Sequence, residues 1–350
     1  GRFSVLIACL AAMLAPIGLA MHSLYSMNAW DHLFWTLGAW MLLHLIDSAG
    51  EAESKSGRTL QPKSWWLLLG LLIGLGCMNK IGMLWFAAGT GAAVLFPPLR
   101  RQLRTPWPWA AAGIAVALFL PFLIWNIAND FAHLEFIRNA TAMKYGGVTR
   151  ADFVLEQFFL QNPIAAPLWI AGLLFLLYGM KRRFCPLALI HAVPFLILFI
   201  NGHSKGEYLA PAYYPLYAAG GVWLEALTHA RLRWLRYAYL LLIMASAVLL
   251  APMAVPVLPA ESFIAYNRAI MPPPRNSEGH ELAELPQFFA DMHGWEDLAK
   301  TVSRVYLSLP ESERRDAVVF ARNYGQAGAI EYFADRYPAP RVISVHNSYW

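Results

Sequence analysis

Most residues that could take part in chemistry lie in every second polar gap between the apolar stretches of the sequence. They carry amide, carboxyl, ammonium, guanidinium, imidazole and phenol groups: Asn28, Asp31, Lys80, His133, Glu135, Arg138, Lys144, Tyr145, Lys205, Glu207 and Tyr208. Lysine is a compact charge that suits phosphate oxygens, and tyrosine adds a hydrogen-bond donor. If the fold brings these gaps together, the side chains predict a site for an anionic substrate.

The other gaps are short and basic, and they predict how the chain crosses a membrane. Their basic residues are Lys55, Arg58, Lys63, Arg100, Arg101, Arg104, Lys181, Arg182, Arg183, Arg231, Arg233 and Arg236. Short basic loops stay on the cytoplasmic side. Nine predicted spans, counted from a cytoplasmic Gly1, put all of these loops inside: 4–22, 28–47, 66–79, 81–97, 107–127, 164–180, 184–201, 211–228 and 233–257. The chemistry-bearing gaps and the C-terminal segment then face outward.

Composition supports a multi-pass membrane protein. Hydrophobic residues make up 58% of the chain and charged residues 14%, against about 25% charged in soluble domains; the mean hydropathy is +0.43. The net charge of +5 reflects the basic loops, so no nucleic-acid partner is expected. The three cysteines lie in apolar runs and indicate no disulfide framework. Because the chain begins at Gly1 and enters an apolar run at once, we expect a fragment that lacks its first helices.

Lys80 interrupts a long apolar run. A continuous helix over 66–97 would place Lys80 near the middle of the bilayer, at a cost of roughly 2.5–3.5 kcal/mol. A tight hairpin with Lys80 at its outer tip avoids this cost. Two interpretations remain open: a lysine that snorkels at a helix end, and a lysine that reaches into a site.

The outer loop 128–163 is long for a connection between helices, which usually has about 2–8 residues. It contains His133, Glu135 and Arg138 within a short stretch with the pattern of an amphipathic interfacial helix. Thr149 or Asp152 is expected to cap a second helix that continues through Phe159. Long structured loops of this kind often bind substrates.

The first 257 residues form the predicted transmembrane domain, and residues 258–350 form a small extracytoplasmic α/β domain. Pro272, Pro273 and Pro274 mark a linker. A helix over 295–307 is followed by strand 317–321, helix 325–337 and strand 341–345, which predicts a parallel βαβ unit. This unit is too small for a complete doubly wound domain. The turn at Asn323 is either a plain turn or, less expected, a ligand-binding turn.

The segment 202–215 has groups suited to a phosphate. Lys205 supplies charge, Ser204 and Tyr208 supply hydrogen-bond donors, and Pro211 is predicted to restart a helix whose dipole would favour an anion. An ordinary interfacial loop with lysine and tyrosine anchors is the alternative. The sequence has no P-loop, His-Glu-x-x-His, Cys-x-x-Cys, Gly-x-Ser-x-Gly or Asp-x-Asp motif.

Several motifs, taken in order, resemble a known family. Ser204-Lys205-x-x-Tyr208-Leu209-x-Pro211-x-x-x-Pro215 resembles a loop of bacterial membrane glycosyltransferases of the protein O-mannosyltransferase-like family, which includes the lipid A aminoarabinose transferases. Five further stretches are similar to this family: 26–35 (SMNAWDHLFW), 74–80 (GLGCMNK), 133–136 (HLEF), 162–172 (NPIAAPLWIAG) and 323–330 (NYGQAGAI). The similarity extends over most of the chain.

The resemblance implies a polytopic α-helical C-type glycosyltransferase in the bacterial inner membrane. A polyprenyl-phosphate-linked sugar would be the donor, and a lipid, glycan or protein would be the acceptor at the outer face, beside membrane lipids. By this resemblance Lys80, Lys205, Tyr208 and Ser204 would bind the donor phosphate. Asp31 or Asn28 would occupy the acidic catalytic position, and His133, Glu135 and Arg138 would bind substrate in the outer loop. No cofactor is implied with certainty, and a divalent metal is left open. The general base is expected in a segment upstream of Gly1.

Two other functional classes were weighed. A secondary transporter of a small polar or anionic solute also has polar residues between its helices. Against it, the ionisable groups gather at the outer ends of the spans, and no inverted repeat is visible. A membrane-anchored sensor is the third hypothesis, but nine predicted helices are more than an anchor needs.

Overall fold

The structure is a computed structural model that describes residues 1–50, 62–143, 147–179, 182–229, 232–270, 285–346 and 349. Lys55, Arg58, Lys144, Tyr145, Lys181, Arg231 and the predicted linker at 272–274 lie outside these residues. The chain divides into two compact units, Gly1–Pro259 and Ala260–Trp350. Each unit is described by itself.

The first unit is built from α-helices and 3₁₀ helices. Its helices are α1 Arg2–Met13, α2 Pro16–His22, α3 Met27–Gly50, α4 Pro62–Asn79, α5 Met83–Ala93, α6 Trp107–Ala128, α7 Ala132–Met143, α8 Arg150–Leu160, α9 Ala166–Tyr178, α10 Cys185–Asn201, α11 Tyr214–Leu227 and α12 Arg233–Ala254. Single 3₁₀ turns occupy Leu99–Arg104, Pro163–Ala165 and Gly206–Tyr213. Thr149 caps α8 as predicted: its hydroxyl accepts the Asp152 N–H at 3.1 Å, and Asp152 accepts the Thr149 N–H at 2.9 Å.

Small residues allow the helices of this unit to approach closely. A Cβ atom on Gly172 of α9 would lie 2.0 Å from the Leu216 carbonyl oxygen, and one on Gly220 of α11 would lie 2.0 Å from the Leu168 carbonyl oxygen. The two helices therefore pack backbone to backbone, as small residues permit between membrane helices. Around them the core contains large buried side chains such as Trp35 and Tyr217.

Helices coincide with all nine predicted spans, but fewer satisfy the requirement for crossing a membrane. Among the described residues, α6 and α12 are long and apolar enough by themselves. Two bent pairs bring the number to four if each forms one span: α1 with α2, at 65°, and α8 with Pro163–Tyr178, at 89°. The protein is thus an α-helical membrane protein, and nine crossings remain a prediction. Within the predicted span 4–22 the helix is broken, because Pro16 lacks the N–H that would continue α1 into α2.

The second unit contains the predicted strand–helix–strand arrangement. Its helices are α13 Ala260–Ile270, α14 Gln287–Ala290, α15 Trp295–Ser308, α16 Glu311–Arg314 and α17 Tyr324–Tyr332, and its strands are β1 Val318–Phe320 and β2 Arg341–Ile343. The strands are parallel, with Val319 opposite Val342. The side chain of Asn323 caps α17 by accepting the Gln326 N–H at 2.9 Å, which favours the plain-turn interpretation. Helix α17 ends five residues before the predicted 337.

Candidate functional site

The break between α4 and α5 positions Lys80 against the start of α3. Helix α4 ends at Asn79, and the Asn79 side-chain amide donates to the Met27 carbonyl at 2.9 Å. The Lys80 ammonium lies 2.8 Å from Asn28 Oδ1 and 3.2 Å from Asp31 Oδ2. Asn28, Asp31 and Lys80 were each predicted as site residues, and the structure brings these three together.

Burial makes this ion pair an unusual feature of a helix end. The Asp31 side chain is 3% exposed and that of Lys80 is 15% exposed. Asn28 and Asp31 lie on one face of α3 because residues three apart in a helix are neighbours. The Asp31 Oδ1 atom has no hydrogen-bond partner in the described part of the chain. Lys80 is therefore the more accessible member of the pair and the one that a ligand would meet first.

Tyr208 connects this pair to the segment 202–215. The Lys80 ammonium lies 6.0 Å from the centroid of the Tyr208 ring, and Trp85 packs against the same ring at 5.6 Å. A cation beside an aromatic face gains roughly 0.5–1 kcal/mol at exposed sites. The Tyr208 N–H donates to the Lys205 carbonyl at 3.3 Å, so Lys205 lies one turn away along the chain. The structure thus brings the Lys205–Tyr208 segment to the same region as Lys80.

Lys205 and Ser204 differ in their exposure to solvent. The Lys205 ammonium lies 3.9 Å from Glu207 Oε1, and its side chain is 22% exposed. Ser204 is buried, and its hydroxyl accepts a hydrogen bond from the Asn201 side chain at 3.0 Å. Binding of a phosphate by Ser204 remains a prediction, since its hydroxyl accepts from Asn201 and so closes the end of α10.

The predicted restart of a helix at Pro211 is wrong. Pro211 lies inside the 3₁₀ turn Gly206–Tyr213, and α11 begins at Tyr214. Pro215 lies in the first turn of α11. Backbone N–H groups in a first turn have no acceptor within the helix, so the N–H that proline lacks is not needed, and its fixed φ suits the helix. The α-helix therefore begins three residues after the predicted Pro211.

Helix α8 fixes the position of this segment. The Glu156 carboxylate accepts the Gly206 N–H at 2.6 Å, and Gln157 accepts the Tyr213 hydroxyl at 3.0 Å. Arg150 donates to the carbonyls of Phe199 and Ile200, at 3.0 and 3.2 Å, at the end of α10. The half of the outer loop that contains α8 therefore packs on the candidate phosphate segment.

The three predicted outer-loop residues lie on α7. His133 packs its ring against Phe122 at 5.4 Å and Phe136 at 6.1 Å, and its Nε2 is buried without a partner among the described residues. Burial lowers the pKa of His133 below its ordinary value. Glu135 and Arg138 are exposed. The contacts of His133 are thus with α6 and α7 and not with the Lys80 cluster, and substrate binding by these three residues remains a prediction.

Sequence reasoning missed a histidine–tyrosine pair beside Asp31. His32 is buried, and its Nδ1 lies 2.7 Å from the Tyr214 hydroxyl. The ring of His22, at the end of α2, lies 5.1 Å from that of His32. The one available signal was a titratable side chain next to Asp31 within an apolar stretch. Its partner is 182 positions away and could not be read from spacing.

An apolar cavity of about 350 Å³ begins at the Tyr214 side of this region. Helices α3, α9, α10 and α11 contribute its walls, which include Thr36, Trp40, Leu43, Phe175, Phe184 and Tyr214. Thr36 and Leu43 are seven residues apart on α3, so the cavity follows the helix for roughly 10 Å. Its shape and lining suit an aliphatic chain better than a polar group.

No group of three or more His, Cys, Asp or Glu side chains with the spacing of a metal site occurs among the described residues. Of the predicted site residues, only Asp31 and Glu207 supply a carboxylate to the Lys80–Tyr208 region, and each faces a lysine. The donor set around Lys80 therefore suits an anion.

Comparison with known proteins gives one match. A family model described as dolichyl-phosphate-mannose-protein mannosyltransferase matches residues 1–125. Asn28, Asp31 and Lys80 lie within the matched residues, and the segment 202–215 lies beyond them. No curated protein and no solved structure matches the chain. The match shows a similarity to this family in the part of the chain that contains the Lys80 ion pair.

Proposed function

We propose that the protein transfers a sugar from a polyprenyl-phosphate-linked donor to a lipid, glycan or protein acceptor at the outer face of the bacterial inner membrane. In this reaction the bond between the anomeric carbon and the phosphate oxygen breaks, and its electron pair leaves with the phosphate. The acceptor oxygen or nitrogen forms the new bond to the anomeric carbon and gives its proton to a base. The observation that carries the proposal is the Lys80–Asp31–Asn28 cluster within the residues matched by the family model.

Lys80 is the residue best suited to receive the donor phosphate. Its ammonium has three donors, and Asn28 and Asp31 account for two of them. The third is available to an incoming phosphate oxygen. As the sugar–phosphate bond breaks, negative charge grows on the phosphate, and a fixed cation stabilises it most at that stage. Asp31 and Asn28 would then act by holding the Lys80 ammonium in place, which gives the predicted catalytic pair a positioning role.

Lys205 and Tyr208 would complete the phosphate site from the opposite side. Tyr208 already lies within 6.0 Å of the Lys80 ammonium. A second lysine one turn before it adds the charge that a phosphate monoester leaving group requires. Ser204 would add a hydroxyl after a rotation away from Asn201.

The apolar cavity supports a lipid-linked donor. It starts at Tyr214, whose hydroxyl contacts His32, the neighbour of Asp31 in the chain. A prenyl chain that occupied the cavity would therefore leave its phosphate near the start of α3. Because the prenyl chain would enter the cavity from lipid and not from water, the cavity would select it through close van der Waals packing.

His133, Glu135 and Arg138 are proposed to contact the acceptor or the sugar through the outer loop. Glu135 and Arg138 are exposed on α7 and so are open to a ligand. A divalent metal has no assigned ligands in this proposal.

The test is sugar transfer with a donor labelled in its sugar, measured in membranes that contain the full-length protein. Wild-type protein should release polyprenyl phosphate only when an acceptor is present. Lys80→Gln should reduce transfer at least tenfold, because a charge-assisted contact contributes about 1.5–3 kcal/mol. Lys63→Gln, which removes an exposed lysine in the first turn of α4, is the matched control and should leave transfer unchanged.

Two results would contradict the proposal. Full transfer by a folded Lys80→Gln variant would remove Lys80 from the site. Accumulation of intact labelled solute inside vesicles, without any cleavage of the donor, would instead identify a transporter.

A further inference from the structure

A second cavity lies away from the Lys80 cluster, at the connection between α9 and α10. It has a volume of about 740 Å³, and its walls are formed by the end of α9, the start of α10 and the segment after α5. The lining residues are Phe96, Pro97, Pro98, Leu177, Tyr178, Arg182, Arg183 and Cys185. Small-molecule sites usually have about 300–1,000 Å³, so the cavity is large enough for a lipid head group.

Two arginines give this cavity its charge. Arg183 Nη2 pairs with Asp47 Oδ1 at 2.9 Å, while its Nε is buried and has no acceptor among the described residues. Arg182 is exposed, and its guanidinium carbon lies 6.0 Å from the centroid of the Tyr178 ring. Among the described residues at the cavity, two guanidinium groups against the Asp47 carboxylate leave one positive charge. The cavity therefore matches an anion with a single negative charge.

The backbone holds both arginines at the mouth of the cavity. Arg182 adopts a left-handed backbone conformation, with φ of 61°, which residues other than glycine rarely adopt. Its N–H donates to the Gly179 carbonyl at 2.8 Å, which closes the turn after α9. The 17-residue helix α10 begins at Cys185, so the positive end of its dipole also lies at the cavity.

From these observations we propose that the cavity binds a singly charged phosphate group, with Arg182 and Arg183 as its ligands. The Arg183 side chain is 39% exposed and lines the cavity, so a phosphate oxygen can reach its guanidinium group. Arginine suits phosphate because its planar donors can engage two oxygens at once. The apolar part of the lining favours the phosphodiester of an anionic phospholipid, since basic pockets between membrane helices bind such head groups. This site is independent of the proposed transfer reaction.

The test is direct binding to the full-length protein in neutral detergent, measured by native mass spectrometry. Three probes separate the sources: dioctanoyl phosphatidylglycerol, dioctanoyl phosphatidylcholine and inorganic phosphate. Wild-type protein should bind phosphatidylglycerol more tightly than phosphatidylcholine. Arg182→Gln, which leaves the Arg183–Asp47 pair intact, should weaken that binding about tenfold, as expected for one charge-assisted contact.

Two further variants sharpen the result. Arg101→Gln removes the same charge from the 3₁₀ turn Leu99–Arg104, outside the cavity lining, and should leave binding unchanged. Asp47→Asn frees Arg183 from its carboxylate and should tighten binding several-fold. Binding of inorganic phosphate alone, lost in Arg182→Gln, would support the site and identify its ligand as soluble. Equal affinity for the two lipids, or equal loss in Arg182→Gln and Arg101→Gln, would overturn the proposal.

Discussion

Replacement of Lys80 by methionine should damage stability and activity separately, and a double variant can distinguish the two effects. Methionine keeps the length of the lysine side chain but removes its charge. The Asp31 side chain is only 3% exposed, and its Oδ1 has no hydrogen-bond partner among the described residues. Without Lys80 its carboxylate would be a buried charge without a cation. Lys80→Met is therefore expected to destabilise the protein strongly.

The size of the effect follows from the burial of the two partners. Removing one member of a buried ion pair costs about 3–5 kcal/mol, whereas replacing both members by neutral groups is often close to neutral. Lys80 is 15% exposed, so water and Asn28 can partly solvate its ammonium when Asp31 is changed. We therefore expect Lys80→Met to cost about 3 kcal/mol, Asp31→Asn to cost less, and the double variant Asp31→Asn/Lys80→Met to recover most of the loss.

The assay pairs chemical unfolding in detergent with sugar transfer on the same preparations. The coupling between the two positions is the difference between the double variant and the sum of the single variants. Transfer should remain at least tenfold low in the double variant although its stability is restored, because the phosphate has lost its cation. Lys63→Met serves as the control for the substitution itself.

Two outcomes would refute this reasoning. If Lys80→Met unfolds like the wild type, the ion pair does not exist in the membrane. If the double variant transfers sugar at the wild-type rate, Lys80 supports the fold and does not bind the donor.

Three further predictions concern other parts of the chain. Lys205→Ala should lower transfer roughly ten- to a hundredfold, whereas Lys205→Arg should retain more activity because it keeps the charge. Lys63→Ala should have no effect. Full activity of Lys205→Ala would contradict binding of the donor phosphate by Lys205. Because burial lowers the pKa of His133, the unfolded chain binds the proton more tightly, so stability should fall as pH drops below about 6.5. His133→Leu should make this fall smaller than in the wild type, as measured by unfolding at several pH values, and an unchanged fall would contradict the burial of His133. Gly172→Ala should destabilise by at least 1–3 kcal/mol through overpacking, while Gly113→Ala, with open space around the added Cβ, should not; equal melting temperatures would contradict the close approach of α9 and α11.

The local features of the fold were largely predictable from the sequence. Apolar runs of helical length mark the helices, and the interruption at Lys80 marks the end of α4. The Thr149–Asp152 pair predicts the start of α8 because a capping box needs only residues three apart. The parallel strand pair follows from two short β-branched runs separated by a helix. For the helices and the cap, the controlling interaction is between near neighbours in the chain.

Features that depend on distant residues were not predictable. The bends between α1 and α2 and before α9 depend on how the helices pack, and the apolar pattern is the same on both sides of each bend. The contact between His32 and Tyr214 requires that α3 and α11 be neighbours, which no local pattern encodes. The 3₁₀ conformation around Pro211 and the start of α11 at Tyr214 were likewise not predicted.

For the candidate site, the sequence predicted which side chains would lie close together, but it did not predict how exposed each of them would be. Asn28, Asp31 and Lys80 meet as expected, and Tyr208 joins them. Ser204 turned out to be buried against Asn201, and His133 packs between two phenylalanine rings. A side chain's chemistry can be read from the sequence, but its exposure is set by the neighbours that the fold supplies.

The contacts of α8 bear on the entropy of ligand binding. A glycine-containing segment such as 202–213 would lose considerable conformational freedom if it became ordered only around its ligand. Glu156 and Gln157 hold Gly206 and Tyr213 in place without any ligand, so that part of the entropy is lost during folding. Changes in α8 would then weaken donor affinity without touching the donor, and they would do so mainly by making the bound conformation of 202–213 rarer in the free protein.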